Sequence, residues 1–401
     1  MRKRIAYIIF IIFLLYGLNY TIFERVFFFN EVLSLFGILI FLYKGLTPKL
    51  TFKVPRVRLY HLVLWFLLLN LFHAIVSIAT CTNFYYYFRS SVIFYSSFGF
   101  FLGFYLFQYF QGFIILIKSY FLSYVVIFFI YPVEILLDRF SAAVFLPFLF
   151  KSTKILSVIG LLVLTFIYAQ RYASMTVSLI GVILIGIIMI PSYRMFKVLF
   201  FSGFMVVFLV FLNFIPYYKL AKTDTYNLFG DMLKVRENSK FLQIDPNSTW
   251  RLVFWYRVTT ENFPENLIGI GFGTPILPYQ EGAKTTESGQ TDEHDAHVIG
   301  CHNTYITLSV RLGVAYLVLL LCFYGTIMKE YYNYNFYYRK RPFLMLCFWS
   351  FFTISIIGLF NLVLESPIYA VMYWILMGFV AQIMARRQAE ALKTRNHNLT
   401  S

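Results

Sequence analysis

Arg171, Arg251, Trp255, His302 and Asn303 are the side chains of this 401-residue chain whose types and settings suit chemistry on an anionic substrate. Arg171 stands in the run Tyr-Ala-Gln-Arg-Tyr-Ala-Ser, between two apolar stretches. A guanidinium there either snorkels toward lipid phosphate or offers its planar fork to a substrate's phosphate oxygens, which it binds bidentately without ever losing its charge. Arg251 and Trp255 follow the turn and capping residues Pro246, Asn247, Ser248 and Thr249. Their spacing predicts a helix from near Ser248 with both on one face, and Arg257 pointing elsewhere. An arginine in the first turns of a helix joins exposed backbone N–H groups and the positive end of the dipole, a setting that favours phosphate. The same aromatic-rich stretch also suits an interfacial helix with its rings among lipid headgroups. His302 and Asn303 open an apolar run beside a polar segment. An imidazole with an ordinary pKa of about 6.5 can take or give a proton at working pH, although on position alone an interfacial histidine is the simpler reading.

Other candidates are weaker. Gly269, Gly271 and Gly273 alternate in Asn-Leu-Ile-Gly-Ile-Gly-Phe-Gly-Thr-Pro. A nucleotide loop would need a strand before and a helix after, so these glycines read as a tight backbone course packed on other segments. His294 and His297, among Asp292, Glu293 and Asp295, carry donor types that suit Zn or Mn. Such clusters in a Gly-, Thr- and Ser-rich loop are usually just solvated, and no metal or cofactor is assigned. Glu31 and Arg311 lie inside apolar runs, where ionisable groups are costly and default to a functional or paired role. His61 and His73 read as packed or paired inside a helix bundle. Of the four cysteines, Cys322 and Cys347 fall in apolar runs, whereas Cys81 and Cys301 could pair only if the fold joins them.

The elements that must position these residues follow from composition. The chain is 60% hydrophobic and 13% charged, with a mean hydropathy of +0.71. A soluble domain carries about 25% charged residues, so a water-soluble enzyme, a disordered chain and an ordinary nucleic-acid binder are excluded. Apolar runs near 5–20, 26–43, 59–79, 91–110, 113–133, 136–150, 155–170, 172–190, 198–216, 302–327, 343–363 and 368–385 predict an all-α integral membrane protein of about 12 transmembrane helices. The stretch 136–150 is the weakest of these, being short and carrying Asp138 and Arg139. The chain divides into N-terminal helices (1–216), one long polar loop with short helices (217–301), and C-terminal helices with a tail (302–401). The net charge of +16 tests the topology. Loops on the side of the N-terminus hold 21 Lys and Arg against two acids, Glu330 and Glu390, while the other side holds 12 against 15. The positive-inside rule therefore puts both termini in the cytoplasm and the 217–301 loop outside, and the excess charge reports orientation rather than a polyanionic partner.

Taken in order, the motifs resemble a known family. An arginine beside a mid-chain span (Arg171), Arg-x-x-x-Trp in a long outward loop (Arg251 to Trp255), Pro264 with the three alternating glycines, His-Asn-x-Tyr (His302 to Tyr305) and Gly313 together look like the bacterial O-antigen ligase and polymerase family, over roughly residues 155–325. The resemblance implies a GT-C-like membrane glycosyltransferase of the bacterial inner membrane. Such an enzyme moves a glycan from undecaprenyl pyrophosphate to an acceptor hydroxyl, either lipid A–core or another glycan, on the periplasmic face, with no nucleotide sugar and no required metal. By motif, the family's two arginines and histidine correspond to Arg171, Arg251 and His302, with Trp255 and Asn303 beside them at the substrate. Some ligases carry a further histidine two positions before the His-Asn pair, where Gly300 stands here, which leaves the acceptor class undecided. A multi-pass transporter or flippase of lipid-linked glycans is the alternative from another class. It predicts charges spread through the spans and a short outer loop.

Overall fold

The computed structural model describes residues 29–46, 55–81, 84–109, 190, 192–203, 205, 246–263, 265–276, 300–334, 337–338, 342–359 and 363–400. Regular structure among them is helical, without strands. The principal helices are α1 (Phe29–Gly45), α2 (Arg58–Thr80), α3 (Phe84–Ser90), α4 (Val92–Tyr95), α5 (Gly99–Tyr109), α6 (Pro246–Asn262), α7 (Thr304–Asn333), α8 (Pro342–Ile357) and α9 (Pro367–Thr400). Three of them, α2, α7 and the 369–392 part of α9, are long and apolar enough to cross a membrane. At 1.5 Å per residue the 23 residues of α2 extend about 35 Å, more than a hydrocarbon core of about 30 Å.

Prolines mark where several helices begin. α6, α8 and α9 each start on one, Pro246, Pro342 and Pro367, because the first helical position has no use for the missing N–H and welcomes the fixed φ. α6 thus starts two residues before the predicted Ser248. The predicted span 91–110 is divided into α4, a 3₁₀ turn at Ser96–Phe98 and α5, and Ser97 turns its hydroxyl back onto the Phe94 carbonyl. The last predicted span, 368–385, continues as helix to Thr400. The predicted spans 5–20, 113–133, 136–150 and 155–170, nearly all of 172–190, most of 198–216, the count of 12 and most of the 217–301 loop lie outside the described residues.

Helices approach closely where side chains are small. Gly99 and Gly103 are four apart on α5 and meet the α9 backbone at Val371 and Ile375, while Gly378 of α9 meets Phe100 and Phe104 in return. Such a small-x-x-x-small pairing suits apolar surroundings, where helices associate by packing and not by escape from water. Around it lies an aromatic core, with Tyr60, Phe66, Phe100, Phe104, Phe323 and Trp374 all buried. The Phe66 ring of α2 lies 4.8 Å from that of Trp374 of α9, tilted by 35°, and the Tyr316 ring of α7 lies 6.1 Å from Phe66. The opposite face of α2, with Trp65, Leu68, Phe72 and Ile75, is exposed and apolar, as a surface turned to lipid is. His61 is exposed on α2, not packed inside as the sequence suggests. His73 is buried in the bundle, as the sequence suggests.

Candidate functional site

The His302 end of the bundle is built on the start of α7. Asn303 takes an extended conformation and caps the helix, its Oδ1 accepting from the N–H groups of Tyr305 at 3.0 Å and Ile306 at 3.1 Å. His302, just before it, has φ 52°, a left-handed backbone that an L-residue holds only when its surroundings impose it. The neighbouring Cys301 shows how. Its N–H donates to Thr307 Oγ1 at 3.1 Å, and its carbonyl accepts from Trp255 Nε1 at 2.7 Å.

That last bond brings α6 to the turn. Trp255, Phe254 and Val258 of α6 pack with Cys301, Ile306 and Val310 in a small second core. Arg251 stands in α6 one helical turn before Trp255, so the helix carrying the predicted anion-binding arginine lies against the turn carrying the predicted base. Arg257 is buried and paired with Glu261 at 3.3 Å, away from that role. Arg171, Pro264, His294 and His297 lie outside the described residues.

The three alternating glycines do pack on other segments. Gly269, Gly271 and Gly273 have φ of 103°, 73° and 79°, which glycine adopts without a Cβ penalty. Their loop fills a break in α7 at Gly313, whose φ is 73° and ψ −169°. Ile270 N–H donates to the Val310 carbonyl at 3.0 Å, Gly271 N–H to Arg311 at 2.9 Å, and Val314 N–H to Leu267 at 2.9 Å. Backbone groups freed by the break thus find partners in the loop, as they must away from water. Ser77 of α2 and Ser90 of α3 hold the loop from the other side, accepting from the N–H groups of Phe272 at 2.7 Å and Gly273 at 2.9 Å.

Two ionisable residues inside apolar runs now have partners. Arg311 is buried and donates through Nη1 to the carbonyls of Gly271 at 2.9 Å and Thr274 at 3.3 Å. Glu31 accepts from the Tyr95 hydroxyl at 3.4 Å, so these two residues serve different contacts. Cys81 and Cys301 are both free thiols.

Glu365 is the residue that sequence reasoning missed. It sits between α8 and α9, and its Oε2 accepts from Thr304 Oγ1 at 2.5 Å. Thr304 Oγ1 in turn accepts from the N–H groups of Val363 at 2.8 Å and Leu364 at 3.2 Å. The residue is partly covered but its carboxylate is buried. Burial pushes this carboxyl above its ordinary value, while the Thr304 hydroxyl and the Arg311 charge pull it back. A single acid in the short run Leu-Glu-Ser-Pro between two apolar stretches was its available signal. Tyr305 ties the same turn to the bundle, its hydroxyl 2.6 Å from both Tyr324 Oη and the Ser355 carbonyl.

Compared with known protein families, with curated proteins and with solved structures, the chain matches none.

Proposed function

We propose that this chain is a membrane glycosyltransferase that moves a glycan from undecaprenyl pyrophosphate to an acceptor hydroxyl on the periplasmic face of the inner membrane, as an O-antigen ligase or a surface-polysaccharide polymerase does. The observation that carries the reading is the Trp255–Cys301 bond. It joins the helix bearing Arg251 to the turn bearing His302, residues 51 positions apart that the motif resemblance pairs.

The chemistry asks for both. The acceptor oxygen attacks the anomeric carbon, a new C–O bond forms, and the bond to the pyrophosphate oxygen breaks with its electron pair leaving on the lipid diphosphate. Negative charge grows on that leaving group, where fixed guanidinium groups in a low-dielectric site stabilise it; Arg251 and Arg171 are assigned this role. The hydroxyl is a weak nucleophile and gives its proton to a base, the role assigned to His302. Trp255 and Asn303 shape the substrate side of the turn. The acceptor is lipid A–core or a growing glycan, and membrane lipids are the other partners.

One feature favours a carrier instead: discontinuous helices such as α7 are common at the binding sites of secondary transporters. The two readings part in detergent. Purified protein given undecaprenyl-pyrophosphate-linked glycan and acceptor should form the glycosidic product without any sealed compartment, and Arg251→Ala and His302→Ala should each lower the rate by about a hundredfold or more. Translocation in sealed vesicles with no product in detergent would overturn the enzyme reading. Deletion followed by gel analysis of surface glycans separates the two enzyme classes: loss of all capped core marks a ligase, and a single repeat left on core marks a polymerase.

A further inference from the structure

Arg311 and Glu365 have no part in the chemistry above, yet each is held where an ion is expensive. Arg311 is 1% exposed, and a buried charge is tolerated only when paired and hydrogen-bonded. Each is hydrogen-bonded, Arg311 to backbone carbonyls and Glu365 to the Thr304 hydroxyl. Between them they hold the glycine loop that fills the Gly313 break and the first residue of α7, just after His302. Arg311 holds the glycine loop through the Gly271 and Thr274 carbonyls. Glu365 holds the Thr304 hydroxyl, two residues beyond His302, whose N–H also donates to the Gly358 carbonyl at 2.9 Å. Neutral groups could have closed these hydrogen bonds. Ionisable groups at these points make the bonds stronger, because a hydrogen bond to a charged group contributes more than a neutral one.

We propose that Arg311 and Glu365 are positioning residues, two buried ionisable side chains whose hydrogen bonds fix the His302–Asn303 turn against the glycine loop and α6, so that His302 meets the acceptor hydroxyl in one pose. The proposal rests on the reading of His302 as the base. Neither residue touches the reacting atoms. Their effect runs through Thr304 on one side and through the loop that fills the Gly313 break on the other.

The test uses full-length protein carrying Cys81→Ser, Cys322→Ser and Cys347→Ala, so that Cys301 is its one thiol. Cys301 is fully buried one residue before His302, its Sγ donating to the Asn303 carbonyl at 3.4 Å. Burial pushes that thiol up to about 12, so maleimide reacts with it only when the turn opens. Glu365→Gln and Arg311→Lys should label about ten- to a hundredfold faster than the parent, the local opening expected when a hydrogen bond to a charged group is lost. In the transfer assay both should lower kcat while leaving the donor KM unchanged, and Glu365→Asp should recover more rate than Glu365→Gln. Thr304→Val removes the same link without touching a charge and should also speed labelling, which keeps the claim decidable if a charge variant does not accumulate. Labelling at the parent rate in all the variants would overturn the proposal, as would faster labelling with kcat unchanged. Absence of transfer by the parent protein itself would overturn the reaction instead, and labelling would still decide whether the pair holds the turn.

Discussion

Replacing Trp255 with phenylalanine would keep an aromatic ring in the small core and delete the indole N–H that holds the Cys301 carbonyl. A neutral hydrogen bond contributes about 1 kcal/mol net, so Trp255→Phe should lower glycan transfer about five- to tenfold at unchanged protein level, read in the detergent assay. Equal rates would mean that α6 reaches the turn by packing alone. At this scale the sequence was informative where local rules decide. The turn and capping residues from Pro246 to Thr249 announce a helix by type, and α6 starts there. Arg257 is placed apart from Arg251 and Trp255 by helical spacing alone, and it pairs instead with Glu261. Glu365 could not be ranked in that way, because its importance lies in a bond to Thr304, 61 positions earlier, which no local pattern encodes.

α7 contains an internal comparison. Gly313 sits at φ 73°, and a Cβ there would strike the carbonyls of Ile268 and Leu267. Gly325, twelve residues on, has only the Tyr193 hydroxyl near it, at 3.9 Å. Gly313→Ala should therefore cost upwards of about 2 kcal/mol, from the left-handed backbone and the displaced loop, and lower the unfolding temperature in detergent by several degrees. Gly325→Ala should be neutral or stabilise by up to about 1 kcal/mol, since alanine is the better helix former. Equal behaviour of the two variants would mean that the break is not tied to its loop. Long apolar runs predicted α2 and the start of α7 to within two residues, because hydropathy reports the surroundings that a span must satisfy. It does not report backbone conformation where the surroundings turn polar. The break at Gly313 depends on a loop more than 40 positions earlier, and the helical course of 386–400 arises from helix-forming residues such as Gln, Ala, Leu and Lys in a stretch whose polarity reads as tail.

Across the whole molecule, the two ends of the bundle are fastened differently. At the end away from His302, Glu330 of α7 is bound by both Nε and Nη2 of Arg387 of α9, the second at 3.0 Å, and by the Tyr338 hydroxyl. The guanidinium also lies 3.4 Å over the Tyr334 ring. Breaking a largely buried pair leaves one charge uncompensated and costs about 3 kcal/mol, so Arg387→Ala should lower thermal stability in detergent while a protein that remains folded keeps its transfer activity. Loss of activity without loss of stability would show the two ends to be coupled. The glycine pairing of α5 with α9 escaped the sequence reading for a related reason: Gly99 and Gly103 look ordinary inside an apolar run until the partner backbone is known. At the opposite end, the groups that complete the broken helix come from Leu267, Ile270 and Gly271. All of them are synthesised before Val310. A chain growing from its N-terminus therefore has these partners of the break already made when α7 emerges, and the interrupted helix can form these hydrogen bonds without waiting for α8 or α9.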